Sequence, residues 1–235
     1  MRSGLTVAVE IPALNEERAI GRVIAEIPAW VDRVIVADNG STDRTAEIAR
    51  GAGAVVVAEP EPGYGAACLA GLTQIRDADI VVFLDGDFSD HPEEMVGLVD
   101  PIAAGKAAMV IGSRVLGERE PGALTPQQRF GNWLATTLIR LIWGVRYTDL
   151  GPFRAIRASA LRDLAMSDRT YGWTVEMQIK AAVAGLTALE VPVRYRRRIG
   201  VSKISGTLQG TVKAGWKILS IIGRFALAKR ARAQL

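Results

Sequence analysis

The sequence predicts an α/β fold, a mostly parallel sheet flanked by helices on both faces, with a basic amphipathic helix appended at the C-terminal end. Three observations carry this expectation. Short apolar runs alternate with helix-like segments through the first half of the 235 residues. Those runs are continuous rather than alternating, as strands buried on both faces of a parallel sheet must be. Apolar residues make up 49% of the chain, enough for one substantial core.

The elements follow in order. Strands are expected at 5–11, 34–37, 54–57, 80–84 and 108–111, where β-branched residues concentrate. Helices are expected between them at 17–27, 42–51, 66–76 and 92–104, leaving room for right-handed crossovers. Residues 115–128, "VLGEREPGALTPQQ", read as a mobile loop. The next helix places Phe130, Trp133, Leu134, Thr137, Leu138, Leu141 and Ile142 on one stripe. A strand-like "PFRAIR", a helix over 173–184 and a strand "TALEVPVRY" come next. A last helix is expected over 208–228, with Lys213, Lys217 and Arg224 in a narrow basic stripe. This divides the chain into a main unit, 1–207, and a basic amphipathic helix, 208–235.

Charge is unevenly placed. Residues 191–235 hold eleven Lys or Arg and no acid, leaving 18 bases and 25 acids in the rest. A basic end on an acidic body suggests an anionic partner there, such as a membrane surface or a phosphorylated substrate. Nucleic acid is not expected, because Tyr195 is the only aromatic within the arginine cluster and offers no stacking platform. The single cysteine, Cys68, excludes an internal disulfide. "MRSGLTVAVEIPALNEE" does not read as a signal peptide, and no apolar run reaches membrane-spanning length. The expected location is the cytoplasm, with peripheral membrane association.

Ligands of such sheets bind at the carboxyl ends of the strands. The five endings are "PALNEE", "DNGSTD", "EPEPGYG", "DGDFSD" and "GSR". Asp85 and Asp87 follow the apolar run 80–84, and burying carboxylates is costly without a compensating partner. Two carboxylates at this spacing suit a hard divalent cation, Mg²⁺ or Mn²⁺, which takes further oxygen ligands from phosphates. An Asp-Gly turn has the same letters, but its place after a buried strand favours the metal. Asp38 ends the second strand with no local partner evident, while Ser41 suits a helix cap. "PGYG", Pro62 to Gly65, lets backbone approach a ligand closely. Neither GxGxxG nor a P-loop is present, so NAD and ATPase readings drop. One histidine, His91, leaves little support for zinc or Ser/His chemistry. "RYRRRIGVSK", 194–203, suits phosphate groups.

The order of "IPALNEE", "VADNGSTD", "PGYGAACLAG", "FLDGDFSDHPEE", "GSR", "DLGPFRAIR" and "EVPVRYRRRIGVSKISGT" resembles glycosyltransferase family 2, the GT-A fold, and within it the dolichyl- or polyprenyl-phosphate mannose synthase branch. The resemblance implies that Pro12, Ala13, Asn15, Glu16, Asp38 and Gly63 surround a GDP- or UDP-sugar. It implies that Asp85 and Asp87 carry the metal and diphosphate, with Gly86 between them in the nucleotide-sugar site. Arg114, Arg129, Arg198, Ser202 and Lys203 would hold donor and acceptor phosphates. Asp87 or Asp149 would serve as base only for an alcohol acceptor. The implied reaction is inverting transfer of a hexose, mannose or glucose, to a polyprenyl or dolichyl phosphate. Transfer to a lipid or saccharide alcohol is the alternative. A nucleotidyltransferase would need a glycine-rich basic loop after the first strand, where "PALNEE" stands, and a non-catalytic membrane module would not need "DGD". The chain departs from the pattern at Asn39, Tyr64, Gly86 and "GPFR". The apolar stripes of the 130–142 and 208–228 helices would face lipid or an anchoring partner, or pack on the sheet or on a second copy of the chain.

Overall fold

The computed structural model describes residues 1–200 and 208–232, with side chains of 213–229 in the second stretch. Seven strands form one sheet, in the order β3-β2-β1-β4-β6-β5-β7. They are β1 (Val7–Ala13), β2 (Arg33–Asp38), β3 (Val55–Ala58), β4 (Ile80–Phe83), β5 (Met109–Ser113), β6 (Arg154–Arg157) and β7 (Ala188–Pro192). All pairings are parallel except those of β6, which runs antiparallel to both β4 and β5.

Helices cover both faces, as the continuous apolar runs require. One face packs under α1 (Ile20–Ala25), α2 (Thr45–Gly51) and α4 (Met95–Ala103). The other packs under α3 (Tyr64–Leu72), α5 (Pro126–Trp143), α6 (Ala158–Leu164), α7 (Trp173–Val183) and α8 (Leu208–Arg232). Strand alternation sorts the residues between layers. Ile80, Val82 and Leu84 enter the first layer, and Val81 and Phe83 enter the second. The segment expected to run out at 184 as one helix is preceded by α6, a short helix not anticipated from the sequence.

The segment read as a mobile loop is instead anchored. The Tyr195 amide donates to the Glu118 carbonyl and the Glu120 amide donates to the Tyr195 carbonyl, each at 2.9 Å. The Arg197 amide donates to the Glu120 carboxylate at 2.8 Å. α5 begins at Pro126, inside the expected loop, because Thr125 and Gln128 form a reciprocal capping box and proline suits the first helical position. Ser41 does not cap a helix opening at 42. Its hydroxyl accepts from the Asn15 amide, and α2 starts only at Thr45.

α8 lies against α5 and α7, with Ile221 and Ile222 buried in the second layer. Lys229 donates to the Ile142 carbonyl. Both helices still leave large side chains open: Phe130 is 60% exposed, Trp133 59% and Trp216 75%. Among the described residues, no helix is long and apolar enough to cross a membrane.

Candidate active site

β4 is fully buried, so the chain must turn where its apolar run ends, and three carboxylates occupy that turn. Asp87 is 4% exposed; its Oδ1 accepts from the Ser89 amide at 2.9 Å and its Oδ2 pairs with Arg198 at 2.9 Å. Asp85 Oδ1 accepts from the Tyr64 hydroxyl at 3.1 Å. Burial, then the charge of Asp87, pushes the Asp85 carboxyl up to about 6. Asp90 lies beneath them with one carboxylate oxygen lacking any partner, and burial raises its pKa well above the carboxylate range. The sequence reading did not single out Asp90. Its only signal was a third acid in "DGDFSD".

The turn is held in an unfavourable shape. Phe88 adopts φ +66, a region that large side chains rarely enter. Arg196 braces it: the guanidinium lies 3.3 Å from the Phe88 ring centroid and donates to the carbonyls of Phe88 and Asp90 at 2.6 and 3.0 Å. The amides of Arg196 and Ile199 donate to the carbonyls of Ser89 and Asp87. The arginine cluster is therefore divided among tasks. Arg194 pairs with Glu93 and Glu94 and Arg196 with Glu26, while the Arg197 guanidinium donates to the Pro121 carbonyl. Of these four, only Arg198 lines the cleft. Ser202 and Lys203 lie outside the described residues.

The cleft has a volume of ≈ 930 Å³. Its acidic end is bordered by Pro12, Ala13, Glu16, Asn39, Gly63, Tyr64, Asp85, Gly86 and Asp87. Asn15 and Asp38 do not border it. The Asn15 carboxamide accepts from the Thr42 amide at 2.8 Å, and Asp38 has a local partner after all, the Ser41 amide at 3.3 Å. Asn39 donates to the carbonyls of Glu59 and Glu61 and accepts from the Gly63 amide, so it fastens the loop after β3. An aspartate there could not make the two donations. The glycines of "PGYG" serve a backbone neighbour: a Cβ on Gly63 or Gly65 would collide with the carbonyl oxygen of Arg169 or Asp168.

The other end of the cleft is cationic, lined by Arg114, Arg129, Arg140, Arg146 and Arg198, and roofed by Ala214, Gly215 and Ile218 of α8. Arg114 is clamped by Asp149 through bonds of 2.8 and 2.7 Å, and its own amide donates to the same carboxylate at 2.8 Å. Asp149 is fully buried; although burial opposes it, Arg114 holds the carboxyl below its ordinary value. This corrects the reading of Asp149 as a possible base. Both of its oxygens are committed to fixing the Arg114 backbone and guanidinium.

The acidic end fits a divalent cation. Asp85 and Asp87 offer hard oxygens, and their mutual repulsion falls when a cation binds. Among the described residues, no group of three or more His, Cys, Asp and Glu is placed to hold a metal alone. The pair would therefore need ligands from a substrate, as Mg²⁺ and Mn²⁺ commonly take from diphosphate.

The chain is similar to several known proteins. The model of glycosyl transferase family 2 matches residues 8–165. An uncharacterised glycosyltransferase of Mycobacterium tuberculosis is 38% identical over 93% of this chain and 100% of its own length. A dolichyl-phosphate hexose transferase of Haloferax volcanii is 34% identical, covering 84% of this chain and 86% of its own. An undecaprenyl-phosphate mannosyltransferase of Micrococcus luteus is 30% identical, covering 88% and 90%. Among solved structures, glucosyl-3-phosphoglycerate synthase of Mycobacterium tuberculosis, with Mn²⁺, UDP and glucosyl-3-phosphoglycerate, superposes with a TM-score of 0.72 at 27% identity. That match covers 94% of this chain and 81% of the other. The sheet order and its helical layers are those of the GT-A fold.

Proposed function

Because the chain belongs to glycosyltransferase family 2, we propose that it is a metal-dependent, inverting hexosyltransferase that moves a sugar from a GDP- or UDP-sugar to a polyprenyl phosphate at an anionic membrane surface. The observation that carries this reading is the continuity of one cleft. It runs from the Asp85–Asp87 turn, past Arg198 and Arg114, to a cationic space beneath α5 and α8.

Pro12, Ala13, Glu16, Asn39 and Gly63 would border the nucleoside, and Asp85 and Asp87 would hold Mg²⁺ or Mn²⁺ with the diphosphate. The cation, when bound, supplies Lewis acidity toward the leaving diphosphate. Arg198 and Arg114 add fixed positive charge, held in place before reaction by Asp87 and Asp149. An acceptor phosphate oxygen is already anionic near neutral pH, so it attacks the anomeric carbon without a base. Attack comes from the side opposite the diphosphate, which departs with the bonding electron pair. The anomeric centre inverts. The commitment of Asp149 to Arg114 supports a route that needs no base.

The exposed side chains of α5 and α8, some of them at the border of the cleft, support the membrane part. The two helices expose Phe130, Trp133, Leu141, Trp216 and Leu227 beside Arg129, Arg140, Lys213 and Arg224, and neither helix contains an acid. Aromatic and basic residues on amphipathic helices suit an anionic interface. A second reading is transfer to a small phosphorylated alcohol, as the name of the phosphoglycerate enzyme among the structural neighbours suggests. The test supplies UDP-glucose or GDP-mannose, Mn²⁺, and either undecaprenyl phosphate in micelles or 3-phosphoglycerate. Glycolipid in the organic extract supports the lipid acceptor. Sugar transfer to phosphoglycerate alone refutes it.

A further inference from the structure

α8 reaches the acidic end of the cleft through one short segment, 168–172. Asp168 is 5% exposed, and its Oδ2 pairs with Lys217 of α8 at 2.8 Å. Its Oδ1 accepts from the amides of Thr170 and Gly172 at 2.8 and 3.0 Å, closing the segment into a tight turn. Gly172 has no space for a side chain, because Ile221 of α8 lies where its Cβ would be. So α8 grips this segment twice, by an ion pair and by packing.

The other side of the segment carries the first turn of α3. The amides of Gly65 and Ala66 donate to the carbonyls of Thr170 and Arg169 at 3.0 and 2.9 Å. Contact is close enough that only glycine fits at 63 and 65. Arg169 also pairs with Glu61 at 2.7 Å, fixing the loop that precedes α3. Tyr64 sits within that turn, and its hydroxyl reaches Asp85. The lysine is the one cation of α8 paired to a carboxylate among the described residues, and the carboxylate it meets belongs to this turn.

We propose that Lys217 and Asp168 are positioning residues: through segment 168–172 they hold Tyr64, and through it Asp85, in the geometry that receives a nucleoside diphosphate with its cation. Seating of α8 thereby governs the donor end of the cleft, although α8 roofs the opposite end. This rests on the reading of the acidic end as the donor site.

The experiment uses the full chain with Lys217→Met, which keeps the aliphatic stem, and Lys217→Arg, which keeps the charge. Amide hydrogen exchange at Gly65 and Ala66 reads the joint without any ligand. Calorimetry with UDP and Mn²⁺ reads the donor site. Lys217→Met should speed exchange at both amides about fivefold, the scale that one modest interaction sustains. It should weaken UDP binding by a similar factor, and Lys217→Arg should restore both. Unchanged exchange at Gly65 and Ala66 in Lys217→Met overturns the joint. A fall in melting temperature with unchanged UDP affinity also overturns it, because that is a merely structural role. If the unaltered chain binds neither UDP nor GDP with Mn²⁺, the donor reading itself is what fails.

Discussion

Replacing Asp85 by asparagine should stabilise the metal-free protein while removing its metal-dependent ligand binding. The Asp85 carboxyl is pushed from 3.8 to about 6, by burial and then by the charge of Asp87. At 1.36 kcal/mol per pH unit, ionising it near pH 8 costs the folded state about 3 kcal/mol. The group is partly open to the cleft, so we expect a gain of about 1–2 kcal/mol. For a chain of this length that corresponds to a rise in melting temperature of about 3–6 °C. The direction with pH follows from linkage. The folded chain keeps this proton to higher pH than the unfolded chain, so wild-type stability is lost as pH rises from 3.8 through about 6. The advantage of Asp85→Asn should therefore be largest at pH 7.5 and nearly vanish at pH 4. Calorimetric melting at the two pH values, with EDTA present, makes the comparison. An equal or lower melting temperature for Asp85→Asn at pH 7.5 would refute the electrostatic reasoning.

Other substitutions test other parts of the account. Gly86→Ala should cost under about 1 kcal/mol, because a Cβ there meets only ordinary contacts of 3.4–3.5 Å, whereas Gly65→Ala drives a Cβ into the Asp168 carbonyl and should destabilise the fold by about 3 kcal/mol or more. Urea melts of the two variants compare these directly, and equal midpoints would contradict the packing described. Trp133→Ser combined with Trp216→Ser should weaken sedimentation with vesicles of anionic lipid at least tenfold and leave the melting temperature within about 3 °C, since both rings are largely exposed. Undiminished vesicle binding would remove α5 and α8 from the membrane-facing role.

Much of the fold is legible in the sequence. Strands such as β4 are readable because burial on both faces gives an uninterrupted apolar run. The Asp85–Asp87 turn is readable because two acids directly after such a run need a partner. What escapes is what depends on residues far apart in the chain. Nothing local in "RYRRRIG" tells that Arg194 and Arg196 neutralise acids elsewhere and Arg197 meets the Pro121 carbonyl while Arg198 alone of the four faces the cleft. The same holds for Asp149, whose role appears only when it meets Arg114. The glycines of "PGYG" signal a close approach correctly, but the approaching group is backbone from 168–170 and not a ligand. α6 escapes because seven residues with no side-chain cap give too little periodicity to separate from a loop.

The central claim is that the acidic turn after β4 holds a divalent cation together with a nucleoside diphosphate. Titration of UDP into the protein by calorimetry, with Mn²⁺ and with EDTA, tests it most directly when repeated on Asp87→Asn. The substitution retains an oxygen for the Ser89 amide, so the turn should stay folded. The account predicts binding with Mn²⁺, none with EDTA, and none for Asp87→Asn at an unchanged melting temperature. Equal UDP affinity in Asp87→Asn, or binding indifferent to EDTA, would contradict it.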